Sequence, residues 1–381
     1  MIKKGTLDFL SKKIFAGGDK GSDIRDFPSN EYLYPVIGNG IENEGVCGYS
    51  KNYTVESPAI TIAARGSIGA TFYRKGKFTP VIRLITIIVD EEKIDTKYLY
   101  YLLKSNSFNS TGSVQQQITV PQIKEQVVYY EDDLNLQKKI ANQLAFLDKK
   151  IINNNKIINE LELMAKTLYD YWFLQFEFPN EEGKPYKSSG GKMVYNEELK
   201  REIPDGWILK HAVDIAEIKT GKEDANHSTE NGQYPFFTCS NDTLKCDDYK
   251  FDSNSILIAG NGDFNVKHYN GKFNAYQRTY VITPFDEKYI GLFELCCKQT
   301  IERFKKGSNG SIVKFITLRD IQNIQMLDSG DDNLLKPFNN VLEKIDILKR
   351  ENQELASLRD FLLPMLMNGQ VTFKKDWLWI G

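Results

Sequence analysis

Arginine, lysine, asparagine and glutamine can make paired hydrogen bonds to the edges of nucleic-acid bases. Side chains of these types fall in turn-rich stretches of both halves of the chain. They are Arg65, Lys75, Lys77, Arg83, Gln115, Gln116 and Gln117 in the first half, and Asn261, Asn265, Lys267, Lys272, Arg278 and Asn309 in the second. Arg83 and Arg278 sit at matched places in β-rich runs, where a structural role and a phosphate contact fit equally well; each of the others competes with a plain solvated-surface reading. Catalytic constellations are poorer. An adenine methyltransferase needs Asn or Asp followed by Pro-Pro and an aromatic residue, and the sequence contains no Pro-Pro. Gly38-Asn39-Gly40 and Gly260-Asn261-Gly262 are partial glycine patterns better explained as turns. Glu91-Glu92-Lys93 and Asp286-Glu287-Lys288 could hold a cation and activate water, but charged turns after strands are commonplace. Cys239 and Cys246 with His227 and His268 lack the close ligand pairs of a structural zinc site, so no metal is expected. No glycine loop ends in Gly-Lys-Ser or Gly-Lys-Thr, which excludes a P-loop motor.

The elements that must position these residues come as a repeat. Tyr34-Pro35 returns as Tyr234-Pro235, and Ile60-Thr61-Ile62-Ala63 as Ile256-Leu257-Ile258-Ala259, each leading into a glycine turn, Arg65-Gly66 or Asn261-Gly262. Gly76-Lys77-Phe78 answers Gly271-Lys272-Phe273, with Arg83 or Arg278 five residues after the Phe. Gly112-Ser113 with Ile118-Thr119-Val120 matches Gly310-Ser311 with Ile316-Thr317-Leu318, and the order is preserved throughout. Each copy reads as short strands broken by turns such as Asn39-Gly40 and Asn270-Gly271, with a short helix near 97–103 or 289–297. The fold class is therefore mixed α/β in two similar heads.

A helical texture follows each head. Ile140, Leu144, Leu147, Ile151, Asn154, Ile158 and Leu161 alternate steps of four and three, the mark of a heptad seam with one polar position. Val341, Ile345, Leu348, Asn352, Leu355, then Leu358 or Arg359, Leu362 and Leu366 repeat it less regularly. A seam asparagine in both copies points to two helices packed in fixed register, antiparallel for heads at opposite ends. The first helix, at ~1.5 Å per residue, would reach about 50 Å, roughly one and a half turns of B-DNA at ~34 Å each. Such a ruler suits a split target with an unread spacer. The resulting division is a first head over 1–133, a helical region over 134–175, a linker and entry over 176–206, a second head over 207–330, a second helical region over 331–370 and a tail from 371.

Bulk composition sets limits on these readings. The 381 residues, 41% hydrophobic and 26% charged, suit a soluble globular chain, and no apolar run approaches the ~20 residues of a membrane span. Five cysteines, two of them adjacent, fit reduced thiols and a cytoplasmic chain better than a disulfide framework. A net charge of -2 argues against coating nucleic acid by charge alone, leaving local basic faces or a partner to supply the neutralisation.

The segment FEFPNEEGKPYKSSGGKMVYNEELKREIPDGW, residues 176–207, resembles the link into the second target recognition domain of Type I restriction-modification specificity subunits. The Pro-Tyr-Lys-Ser-Ser-Gly-Gly run and the Ile-Pro-Asp-Gly-Trp entry carry the likeness, and the first head, opening with Lys4-Gly5-Thr6-Leu7-Asp8, has no such lead-in. The resemblance implies two target recognition domains that each read half of a bipartite duplex site. It also implies two helical regions that dock a pair of modification subunits, and a separate restriction subunit. S-adenosylmethionine, ATP and Mg would belong to those partners, and this chain would carry no catalytic group or cofactor. The contrasting reading is a helical adaptor whose duplicated heads bind protein or glycan.

Overall fold

A computed structural model describes residues 2–56, 58–105, 117–306 and 315–371. Gln115, Gln116, Asn309 and the tail from 372 lie outside the described residues. The chain forms two compact units. One takes the residues up to 152 and those from 352 onward, and the other takes 153–351.

In the first unit a four-stranded antiparallel sheet runs in the order Ser11–Ala16, Ile85–Val89, Ala59–Ile62, Thr71–Arg74. A three-stranded companion joins Val46–Ser50, Tyr34–Ile37 and Thr79–Pro80, the last pair parallel. The continuous Ala-Ile-Thr-Ile run suits Ala59–Ile62, every residue of which is buried. The head helix Thr96–Ser105 is capped by Asp95, which accepts a 2.8 Å hydrogen bond from the Tyr98 amide, and it turns Tyr98, Leu99 and Leu102 into the core.

The second unit repeats these pairings in one six-stranded sheet: Ala216–Thr220, Thr279–Pro284, Phe251–Ala259, Val266–Ala275, Tyr234–Phe237, Thr243–Cys246. The difference lies in one strand. Val266–Ala275 runs unbroken where the first head divides into Thr71–Arg74 and Thr79–Pro80. Asn270-Gly271, expected to be a turn, is therefore strand: Asn270 pairs with Asn254 and Gly271 with Ser253. Gly271 adopts a φ of +133°, open to glycine at little cost, and the ladder passes through it. The head helix here, Ile290–Lys306, continues well past the expected 289–297.

The stretch 176–206 is folded into the second unit. Phe178 stacks on Trp207 with ring centroids 4.8 Å apart and on Tyr186 at 4.6 Å. Gly191 passes so close to Tyr186 that a Cβ there would lie 2.4 Å from the ring. The Pro-Tyr-Lys-Ser-Ser-Gly-Gly run is thus a closed turn whose tyrosine and second glycine complete an aromatic stack over Trp207.

Both long helices, Leu134–Tyr169 and Asp332–Met367, start at aspartate caps: Asp133 accepts from the Asn135 amide at 2.8 Å and Asp331 from the Asn333 amide at 2.9 Å. Burial follows the heptads. Ile140, Leu144, Leu147, Ile151, Asn154, Ile158 and Leu161 are buried or half-buried, as are Val341, Ile345, Leu348, Asn352, Leu355, Leu362 and Leu366. Of the two residues the sequence left open, Arg359 takes the seam and Leu358 is exposed.

Within each unit the helices run antiparallel. In the first, Arg359 meets Asp148 at 2.7 Å, while Ile140 and Leu144 share a core with Leu363 and Leu366. In the second, the Asn154 amide donates to Glu351 at 2.7 Å, while Trp172 packs on Phe338 with centroids 6.2 Å apart. The heads are tied to these helices by polar contacts as well. The Tyr101 hydroxyl donates to Asp148 at 2.6 Å in the first unit; in the second, Lys298 bridges Glu294 at 2.7 Å and Glu162 at 3.2 Å, and His268 Nδ1 lies 2.7 Å from Asp346.

The core shared by the two helices predicts that Leu363→Ala costs about 2–5 kcal/mol in chemical denaturation, the usual range for a buried leucine. Leu358→Ala, at an exposed position beside the seam, should stay within about 0.5 kcal/mol.

Candidate nucleic-acid interface

The central hairpin of each head sorts the candidate residues into two groups. In the first head Ile62 pairs with Thr71, so the connection 63–70 with Arg65 lies at one end, and Ala59 pairs with Arg74, so Lys75 and Lys77 lie at the other. The turn 81–84 belongs to the Arg65 end, because Ile85 pairs with Ile62. Gln117 joins them: its side-chain oxygen accepts from Arg65 Nε at 3.1 Å and Nη2 at 2.9 Å, and the Ile118 amide donates to the Ala64 carbonyl at 3.0 Å. Arg65, Arg83 and Gln117 therefore gather at one sheet end, with both arginines exposed.

The second head is built the same way. Ala259 pairs with Thr279, which brings the connection 260–265 beside the turn that carries Arg278, and the Ile316 amide donates to the Gly260 carbonyl at 2.8 Å. Arg278 is exposed there with Asn261 half-buried. Gly66 and Gly262 hold φ of +66° and +67°, the left-handed region that favours glycine, at matched places in the two connections.

Several candidates are occupied inside the protein. Lys267 donates to the Ser240 carbonyl at 3.0 Å and the Asp242 carbonyl at 3.2 Å, and burial draws its ammonium below the usual lysine range although Asp242 and Asp263 oppose this. Asn265 donates to the carbonyls of Cys239 at 3.2 Å and Ser240 at 2.9 Å. Both side chains clamp the loop after Tyr234–Phe237. At the far hairpin end, Lys77 lies 4.4 Å over the Tyr53 ring and 3.0 Å from Glu56, and Lys272 lies 4.7 Å over Tyr249. Contacts with Tyr53 and Glu56 hold Lys77 above the usual lysine range, as Tyr249 does for Lys272. These matched lysines, with Tyr34 and Tyr234 packed beside the same rings, lock a hairpin in each copy. Lys75 is exposed at that far end.

Two residues that organise the loops of the first head escaped the sequence reading. The Asn39 amide donates to the Ile82 carbonyl at 2.6 Å, and its oxygen accepts from the Ala64 amide at 2.8 Å, so one side chain joins three turns. Its place inside Gly-Asn-Gly was the available signal. Arg74, almost wholly buried, bonds Thr61 at 3.0 Å and the Glu44 carboxylate at 2.9 Å, and also reaches the Glu44 carbonyl, fixing the loop in which Asn43 and Glu44 hold positive φ. Burial lowers the Arg74 pKa, partly offset by Glu44.

The same architecture recurs in known proteins. The family model described as Type I restriction modification DNA specificity domain matches residues 14–163 and 204–327, more than half of the chain. The chain belongs to this family. Among curated relatives of the family, a Type I restriction enzyme EcoDI specificity subunit from Escherichia coli is 34% identical over 183 residues, which cover 46% of this chain and 40% of that one. A Type I restriction enzyme MjaIX specificity subunit from Methanocaldococcus jannaschii is 25% identical over 97% of this chain and 91% of its own length. The chain spans less than half the length of several other curated relatives it matches. A crystal structure of a Type I restriction-modification system S subunit from M. genitalium shares the fold with a TM-score of 0.63, at 19% identity over 96% of each chain. Among the described residues no helix is long and apolar enough to cross a membrane.

Asn39→Ala should release the Ala64 amide and Ile82 carbonyl together. The expected result is faster amide exchange at Ala64 with a stability loss of about 1–3 kcal/mol, measured by hydrogen exchange and denaturation; unchanged exchange would mean that the three turns are held by other means.

Proposed function

We propose that this chain is the non-catalytic sequence-reading subunit of a Type I restriction-modification complex in the cytoplasm. Each head reads one half of a bipartite duplex site. The observation that carries this is the repeated sheet end, where similar scaffolds present different side chains: Arg65, Arg83 and Gln117 in one head, Asn261 and Arg278 in the other. One scaffold with two sets of polar tips is what reading two different half-sites requires, since base discrimination comes from the tips and orientation from the frame. The Arg65 guanidinium, braced by Gln117, is suited to the two acceptors of a guanine edge. The long helices are proposed to set the unread spacer between the half-sites.

The helices also support partner docking. Phe146 at 66% exposure, Leu163 at 65% and Phe361 at 63% stand on solvent faces of helices whose seams are already filled. Contiguous apolar patches mark association surfaces, and the proposed occupants of these helix faces are two modification subunits. Those partners would carry S-adenosylmethionine and methylate adenine, and a restriction subunit would bring ATP- and Mg-dependent cleavage.

Binding to target duplex by the complex with the modification subunit should weaken steeply with salt. Arg65→Ala should reduce affinity for the target about tenfold, within the ~1–3 kcal/mol of one paired base contact, and Lys75→Ala should change it less than about twofold. Equal effects of the two variants would contradict the assignment of the reading end. Phe146→Asp and Phe361→Asp, both in the first unit, should each remove one of the two modification subunits from the co-purified complex while shifting stability by no more than about 0.5 kcal/mol.

A further inference from the structure

His227, Cys246 and Asp248 come together in the second unit with their ligand atoms all within 4.8 Å of one another. Nineteen positions separate the histidine from the cysteine in sequence, which is why spacing gave no hint of a shared site. His227 ends the short turn Ala225–His227 after strand Ala216–Thr220, and Cys246 ends strand Thr243–Cys246, with Asp248 two residues on. Cys239 and His268, the other two residues considered for zinc, are engaged elsewhere, with the Arg278 carbonyl and with Asn254 and Asp346.

The surroundings of the three residues are those of a ligand set. His227 Nε2 lies 2.7 Å from Asp248 Oδ1, and the opposite ring nitrogen, Nδ1, faces Glu223 at 3.4 Å. A carboxylate on the far nitrogen is the usual outer support of a metal-bound imidazole, because it fixes the ring and the tautomer. Asp248 is supported in turn by the fully buried Asn274, whose amide donates to Oδ1 at 3.1 Å. The Cys246 thiol is buried against the carbonyls of Asp248 at 3.1 Å and Tyr234 at 3.7 Å. His227 and Asp248 keep side-chain exposures of 31% and 45%, leaving an entry path.

The repeat supplies an internal comparison. Ser50 pairs with Tyr34 as Cys246 pairs with Tyr234, and Phe27 precedes Tyr34 by the seven residues that separate His227 from Tyr234. Asn52 stands where the second head has Asp248. The first head therefore lacks all three donors at once while keeping the same strands.

We propose that His227, Cys246 and Asp248 bind one divalent transition ion of the zinc class in the second head, with Glu223 and Asn274 as positioning residues and a fourth position open to water. Thiolate and imidazole together select zinc-like ions over magnesium or calcium. On binding, the Cys246 proton leaves to solvent, and the thiolate and the Asp248 carboxylate balance the two positive charges of the ion. At metal-ligand lengths of about 2.0–2.3 Å, tetrahedral ligand atoms stand about 3.4 Å apart, so His227 and Asp248 must separate by less than about 1 Å. The exposed carboxylate can supply that movement. The ion would pin the 223–227 turn to the end of Thr243–Cys246, and the proposal stands independently of the DNA-reading assignment.

The test is titration of the chelator-treated full-length chain with cobalt(II), followed by zinc(II). The expected result is a thiolate-to-cobalt charge-transfer band in the near ultraviolet that saturates at one equivalent and is displaced by one equivalent of zinc. Cys246→Ser, which installs the residue type that Ser50 provides in the first head, should lose the band; Cys239→Ser should retain it. Glu223→Gln should weaken cobalt binding about 10- to 100-fold, the usual effect of losing an outer-shell partner. Absence of the band at stoichiometric cobalt, or a band that survives in folded Cys246→Ser, overturns the proposal.

Discussion

A polar side chain buried in an apolar helix seam must find its partner or cost the fold a few kcal/mol. Among the described residues each compact unit contains such a pair, Asp148 with Arg359 in the first and Asn154 with Glu351 in the second. A shift of one helix by a single heptad step would part both pairs. Register is therefore fixed separately within each unit, and with it the surface on which each head rests. Asp148 extends the constraint outward, since it also accepts from Tyr101 on the head helix.

Core and head are consequently inseparable. Ile140, Leu144, Leu363 and Leu366 lie in the same cluster as Ile60, Ile87 and Tyr98 of the first sheet and head helix. Phe338, Leu342 and Ile345 lie with Ile256, Ile282 and Phe293 of the second. The boundary between units falls at 152 and 153 inside one unbroken helix and at 351 and 352 inside the other. Neither head has a complete core without residues from both long helices, so the loops at each sheet end stand on a frame set by distant parts of the chain.

Much of this frame was legible in the sequence. The heptad steps identified the buried face of both helices, because a 3.5-residue period leaves few alternatives, and the repeat announced two heads with common strand order. The residues that resembled Type I specificity subunits correspond to a packed feature, the stack of Tyr186, Phe178 and Trp207 closed by Gly191. Side-chain duty was less legible. Lys77, Lys267, Lys272 and Asn265 have the chemistry of base contacts, yet the structure spends them on rings and carbonyls contributed by residues about 25 positions away. Asn270-Gly271 read as a turn because its dipeptide favours one, but pairing with Phe251–Ala259 outweighed that local preference. His227 and Cys246 lacked the close spacing of a structural zinc site, and only the fold brings them together.

The central claim is that this chain gives sequence specificity to a modification partner. The most direct test is single-molecule methylome sequencing of a methylation-free host that expresses the chain with its cognate modification subunit, beside a host expressing that subunit alone. A split adenine-methylated motif present only with the chain is the predicted result. Identical methylomes, from a complex shown to assemble and a modification subunit shown to work with another specificity chain, would contradict it.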